Sequence, residues 1–329
     1  MLLSTAQRLS GYLPGAERSG WHAIALSPEQ DGPAVLVSQL LLMRSEFRQG
    51  WSLYERRLVR QVSSIQTPHP PRDSIDRARG SVLLWGEQGI GDEIMFASLL
   101  SEAIASFSAV VLQSDARLKG FFRRSFPDLR VFDYSEIPPV DSYTAHLPLG
   151  SLGLHFRSHE SDFSRQPVGY FQVDPQRVWA VRSQLAREAD EIIVGVSWSS
   201  SSPEHGEMRS LDLQALCSAL NFPMVRFVNL QYGDVSRDLA ALDASVRGRI
   251  FVCPEIDNLR DLDGLAALMC NCDLIVTVGN TTAHLAGALG ALLVGCISPL
   301  VGLAYSSFLQ LRKMLAQQPW FYLALVACC

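Results

Sequence analysis

Two glycine-bearing segments hold the residues whose types and spacing point to chemistry. The first is GEQGIGD at 86–92, directly after the apolar run SVLLW (81–85). Its glycines, Gly89 and Gly91 among them, allow a tight turn and a close backbone approach. They stand at the carboxyl end of an expected strand, where open α/β sheets bind ligands. The spacing departs from G-x-G-x-x-G, which argues against a nicotinamide dinucleotide. Asp92 then opens the next helix, and Asp is a good N-cap.

The second segment is VGNTTAHLAGALG at 278–290. A strand ends at Val278, Gly279 turns the chain, and a helix begins near Thr282. The free N–H groups and dipole of a helix start form a ready anion site. Asn280, Thr281 and Thr282 can either cap this helix or meet a phosphate. His284, in the first turn, reads equally as a packed or capping histidine. Between the two segments, the loop SWSSSSPEHGEMRS (197–210) offers small hydroxyl side chains such as Ser197 and a cation, Arg209. Such a loop suits a phosphate, and it suits plain solvation as well. NLQYGD (229–234) places Gln231 and Tyr232 just past another strand.

These residues need a scaffold, and the pattern supplies one. Strands are expected at 81–85, 109–113 and 129–132, with helices at about 93–107 and 116–125 between them. This is the rhythm of a parallel sheet. It restarts at 191–198 and continues through strands at 223–230, 250–253, 274–278 and 291–297, with helices at 211–220, 259–270 and 282–289. Residues 140–178 read as loops and turns. Ahead of the first strand, 34–58 read as a helical pair with Trp51, Tyr54, Arg57 and Leu58 at helical spacing. The proline-bearing stretch 63–80 reads as a linker.

Composition excludes other classes. The 329 residues include 48% hydrophobic and 19% charged side chains, enough apolar material for a large core rather than disorder. The net charge of −5 leaves no electrostatic footprint for nucleic acid. Lys119 and Lys313 are the only lysines, and no G-x-x-x-x-G-K-[ST] occurs, so a P-loop NTPase is not expected. Seven cysteines without a C-x-x-C pair favour free thiols over a zinc ribbon or disulfide framework. The first twenty residues lack a basic segment followed by an apolar one, so no signal peptide is expected. Residues 274–311 carry no Asp, Glu, Lys or Arg. That run is long enough to cross a bilayer, but its polar and glycine residues favour buried strands.

VLLWGEQGIGDEIMFASLL (82–100) resembles the first strand, turn and helix of the heptosyltransferase-like (family 9) glycosyltransferases, in particular the form carried by bacterial tetratricopeptide-repeat (TPR) proteins. SEFRQGWSLYERRL (45–58), VRFVNLQYGD (225–234) and DLIVTVGNTTAHLAGALG (273–290) agree with it. The resemblance implies a GT-B-like α/β fold of two Rossmann-like domains with the site in the cleft between them. It implies a short TPR-like helical remnant at 1–62, a linker at 63–80, an acceptor domain at 81–178 and a nucleotide-sugar domain at 179–329.

It also implies roles. Asp92 would be the base for an acceptor hydroxyl. The donor would meet Gly89, Gly91, Ser197, Arg209, Gln231, Tyr232, Asn280, Thr281, Thr282 and His284, with the 280–284 turn cradling its diphosphate. The expected activity is inverting, metal-independent transfer of a sugar from a nucleotide diphosphate, which serves as co-substrate with no further cofactor. The acceptor is an undefined glycan, lipid or protein, and the expected location is cytoplasmic or membrane-peripheral. A non-catalytic scaffold on the same fold is the alternative, because Asn280 and Ser200 replace an acidic and a basic residue common in relatives. The apolar C-terminal tail, with PWFY at 319–322, is expected to promote self-association.

Overall fold

The computed structural model describes residues 1–60, 67–71, 80–201, 206, 210–220 and 222–295. The chain opens with four helices, α1 (Leu2–Leu9), α2 (Leu13–Leu26), α3 (Asp31–Met43) and α4 (Phe47–Tyr54), followed by a 3-10 turn at Glu55–Arg60. Each packs on the next. Glycines let two of these crossings close up. A methyl group on Gly20 would lie 2.5 Å from Val37, and one on Gly50 would lie 2.8 Å from Leu42. The sequence pattern marks only the second pair. α1 leaves Leu2, Leu3 and Leu9 exposed, so no buried stripe is visible, and α2 contains Pro14, Gly15 and Gly20, all poor helix formers.

The first sheet contains β1 (Ser81–Trp85), β2 (Ala109–Ser114), β3 (Arg130–Asp133) and β4 (Ala145–Pro148), all parallel, in the order β3-β2-β1-β4. The single helix expected over 93–107 is two, α5 (Ile90–Ala97) and α6 (Leu100–Ser106). They part where the N–H groups of Ser98 and Leu99 turn to carbonyls three residues back. Next come α7 (Lys119–Ser125) and α8 (Leu152–Phe156). The described part of the expected linker, 67–71, lies along β4. Pro71 bridges to His146, and His146 N–H donates to the Pro70 carbonyl at 3.2 Å.

α9 (Pro175–Leu185), capped by Asp174, leads to the second sheet. That sheet contains β5 (Ile192–Ser197), β6 (Val225–Asn229), β7 (Ile250–Phe251), β8 (Leu274–Thr277) and β9 (Leu293–Gly295), all parallel, in the order β7-β6-β5-β8-β9. Its helices are α10 (Leu213–Ala219), α11 (Ser236–Ala241), α12 (Ala244–Arg247), α13 (Leu262–Met269) and α14 (Thr281–Ala288). The uncharged run from 274 is thus a buried strand, a helix and a second strand as far as 295. No helix among the described residues is long and apolar enough to cross a membrane.

Two parallel sheets built from successive βα units give the two-domain α/β architecture expected. One core runs through both halves. Phe121 stacks on Phe171 with centroids 5.1 Å apart, and both belong to the cluster that contains Leu265 and Leu268. Ion pairs Arg124–Asp263 and Arg177–Asp261 tie the N-terminal half and the connecting segment to α13.

Candidate active site

Strand order locates the site. In each sheet the chain first moves outward from the central strand in one direction and then crosses to the other side. The switch falls between β1 and β4 in the first sheet and between β5 and β8 in the second. Crevices open at the carboxyl ends of such strand pairs. The turn 86–92 follows β1, and 278–284 follows β8.

The turn after β1 is held in conformations that side chains resist. Gln88 has φ 64° and Gly89 has φ 154°, so a substitution at Gly89 would be strained. Gly89, not Asp92, occupies the N-cap of α5. Asp92 sits in its first turn, where the dipole favours a carboxylate. Asp92 is therefore not the N-cap residue, although its carboxylate accepts a hydrogen bond from its own N–H in the first turn. Asp92 retains partial exposure. Burial first, and then the charge of Glu87, push its carboxyl up to about 6, against the opposing pull of Arg57.

The glycines of this turn mostly make room for protein. A methyl group on Gly86 would lie 2.3 Å from the Glu93 carboxyl carbon and 2.4 Å from the Tyr134 hydroxyl. Glu93 is buried. It accepts from the Tyr134 hydroxyl at 2.7 Å and from the Asp115 N–H at 2.9 Å. Burial raises its carboxyl to about 7. Gly89 is different, because the nearest atom to a methyl group there is an Asp92 carboxylate oxygen at 4.0 Å. Glu87 points inward to Arg57 of the helical segment, and both are buried.

The opposite wall is a network of polar side chains that organise the strand ends. Gln231 Oε1 accepts from Ser197 Oγ and from the N–H groups of Trp198 and Ser199, each at 2.9 Å. Asn280 caps α14 by accepting from the N–H groups of Thr282 and Ala283. Its amide donates to Ser197 Oγ at 2.9 Å and to the Ser199 carbonyl at 3.1 Å. Ser197, Gln231 and Thr282 are buried, so these side chains shape the wall from behind its surface. Tyr232 lies nearer the surface, where its hydroxyl accepts from the Ser201 N–H at 2.9 Å. Thr281 is also partly exposed at the start of α14. Arg209 lies outside the described residues, as do the tail from 296 and its PWFY.

The two walls meet at one point. α5 packs on α14, and a methyl group on Gly91 would lie 2.9 Å from His284 Cδ2 and 3.2 Å from Nε2. His284 is buried, which pulls its imidazole down to about 4 and leaves it neutral at pH 7. Tyr170 staples the same pair, donating its hydroxyl to the Ile94 carbonyl and its N–H to the Ala288 carbonyl, each at 2.8 Å. The first turns of two helices, one bearing Asp92 and the other His284, thereby meet. Glu87, Arg57, Glu93 and Tyr134 were not singled out in the sequence as site residues. Asn258 was also missed. It is buried, donates to the Asn229 and Gln231 carbonyls, and steadies the loop after β6. Among the described residues no group of three or more His, Cys, Asp or Glu is placed to hold a metal ion.

No family model matches the chain. It is 30% identical over 271 residues to Protein FlbA of Caulobacter vibrioides, an alignment covering 76% of this chain and 45% of that protein. The chain thus spans less than half the length of this curated relative. Among solved structures, E. coli ADP-heptose LPS heptosyltransferase II matches with a TM-score of 0.49 and 15% identity, over 65% of this chain and 84% of the other. A family 9 glycosyl transferase from Veillonella parvula DSM 2008 matches with a TM-score of 0.47 and 11% identity, over 74% and 90%.

Proposed function

We propose that this chain is a heptosyltransferase-like (family 9) glycosyltransferase that moves a hexosyl or heptosyl group from a nucleotide diphosphate to a hydroxyl acceptor, with inversion and without a metal ion. The observation that carries the reading is the Gly91–His284 contact, which joins the first turn of α5, bearing Asp92, to the first turn of α14. A partly exposed carboxylate that is not the N-cap and a helix start suited to an anion then stand on adjoining helix turns. The sequence resemblance supports the same roles.

In this reading the acceptor oxygen forms its bond to the anomeric carbon as the bond to the diphosphate oxygen breaks. Asp92 takes the acceptor proton, and the diphosphate leaves with the electron pair. Its charge is met by the α14 start, with Thr281 and His284, and by Arg209. Preorganised donors of this kind act where charge develops. Ser197, Gln231 and Asn280 keep the donor wall in shape, and Gly89 admits a ligand beside Asp92. Nucleotide-sugar donor and acceptor are the partners.

The test is a thermal-shift screen of ADP-, UDP-, GDP- and dTDP-sugars, followed by product detection with and without EDTA. A donor that binds the folded chain raises its melting temperature. Binding followed by EDTA-insensitive transfer with inverted anomeric configuration is expected. Binding without transfer to any acceptor would favour the scaffold alternative, and no stabilisation by any donor would overturn the reading.

A further inference from the structure

Arg57 belongs to the helical segment, yet it is built into the turn that presents Asp92. All five of its N–H groups have acceptors. Nε donates to both carboxylate oxygens of Glu87 at 3.1 Å. Nη1 donates to the Tyr54 carbonyl at 3.0 Å and to Glu55 at 2.8 Å. Nη2 donates to Glu87 and, at 3.2 Å, to Ser151 Oγ. The guanidinium carbon also lies 4.1 Å from the centre of the Tyr54 ring. On the other side of the turn, the Gly150 N–H donates to Glu87 Oε1 at 3.2 Å. A methyl group on Gly150 would lie 2.5 Å from that oxygen. Gln88, in its left-handed conformation, donates to the Tyr54 hydroxyl at 2.7 Å. Two successive turn residues, Glu87 and Gln88, are therefore gripped from the helical segment just ahead of Gly89.

We propose that Arg57, Glu87 and Tyr54 are positioning residues for Asp92, so that the helical segment is a working part of the site and not an appendage to it. The catalytic meaning rests on Asp92 being the base; the positioning itself does not. The titratable and charged groups around Asp92 are Glu87 on its own turn, and Tyr54 and Arg57 from the helical segment with Glu55 behind them. From α14, His284 lies against the neighbouring Gly91. Glu87 and Arg57 act on Asp92 with opposite sign, the first favouring its protonated form and the second its carboxylate.

The experiment is a carbon-13 NMR titration of the full chain labelled at the aspartate carboxyl carbons, with Asp92 assigned through Asp92→Asn. Glu87→Gln is expected to lower the Asp92 midpoint by about half a pH unit or more, and Arg57→Gln to raise it by a similar amount. Opposite shifts are the signature, because simple loosening of the turn would move both variants the same way. An unmoved midpoint, or two shifts of one sign, overturns the proposal. The double variant Arg57→Met/Glu87→Leu leaves neither charge buried alone and serves where a single variant does not fold. Its midpoint should fall, since Glu87 is the stronger influence, and an unchanged midpoint overturns the proposal. The titration needs no substrate. Failure of the glycosyltransferase reading would show separately, as no stabilisation by any nucleotide sugar.

Discussion

The space where Gly91 would carry a side chain is taken by the imidazole of His284, 2.9 Å from the position of a methyl carbon. Gly91→Ala must push the first turns of α5 and α14 apart. Overpacking costs about 1–3 kcal/mol, against about 1 kcal/mol regained from helix propensity. A net loss of stability is expected in chemical denaturation, with donor affinity weakened at the same time. Wild-type stability and affinity together would show that the helices do not meet as described.

Asp92→Asn separates catalysis from folding. Because Gly89 and not Asp92 holds the cap position, and the burial penalty on the Asp92 carboxylate outweighs the bond from its own N–H, neither Asn nor Ala should cost stability there. Burial raises the Asp92 carboxyl to about 6, so its ionised form weighs against folding at pH 7. Both variants should therefore be slightly more stable at that pH, while transfer falls by about 100- to 10,000-fold. In the wild type, transfer should rise with pH through about 6 as the base loses its proton. Full turnover by Asp92→Asn would remove it from the mechanism.

Glu93 gives a second pH signature. Its carboxyl is raised to about 7, so the folded chain binds a proton that the unfolded chain has already lost. The stability contributed by that proton is present at low pH and disappears between about 4.5 and 7. Urea unfolding at successive pH values should show a decline across this window. Glu93→Gln should reduce it, and in Asp92→Asn/Glu93→Gln stability should instead rise with pH between about 4 and 6.5, because buried His284, pulled down to about 4, takes up its proton there only on unfolding. Carboxyls held low, such as Asp115 and Asp261, act only in more acidic solution. An equally steep decline in the double variant would place the proton elsewhere.

Asn280 both accepts and donates, which makes Asn280→Asp informative. The carboxylate can still accept from the Thr282 and Ala283 N–H groups, but it cannot donate to Ser197 Oγ or the Ser199 carbonyl. Loss of about 1–3 kcal/mol is expected from the groups left unsatisfied. Crystallography of the variant should show the 197–201 loop displaced. An unchanged loop with unchanged stability would contradict the network.

Much of the scaffold was legible because buried parallel strands are continuous apolar runs. SVLLW and EIIVGVSW announce β1 and β5 directly. β4 escaped because it is only four residues long, carries His146 and ends in Pro148. α9 escaped because it buries only Val181 and Leu185 and leaves Trp179 exposed. At the site, Asp92 was visible from the glycines around it. The pairing of Arg57 with Glu87 spans thirty residues of sequence, and no local pattern announces a contact of that kind. Asn280 was recognised as a cap or a phosphate ligand, and only the position of Ser197 shows how far its capping amide reaches.

The Arg57–Glu87 pair also bears on how such chains can be assembled from parts. A fragment starting at residue 80 would keep a complete first sheet and still strand the Glu87 carboxylate in the interior without its counterion. Removing one member of a buried pair costs about 3–5 kcal/mol, a large share of what a domain of this kind has to lose. Grafting this two-sheet unit behind a foreign helical array would therefore require the array to bring its own arginine to that spot. The two regions are thus expected to travel through evolution together, as one inherited unit.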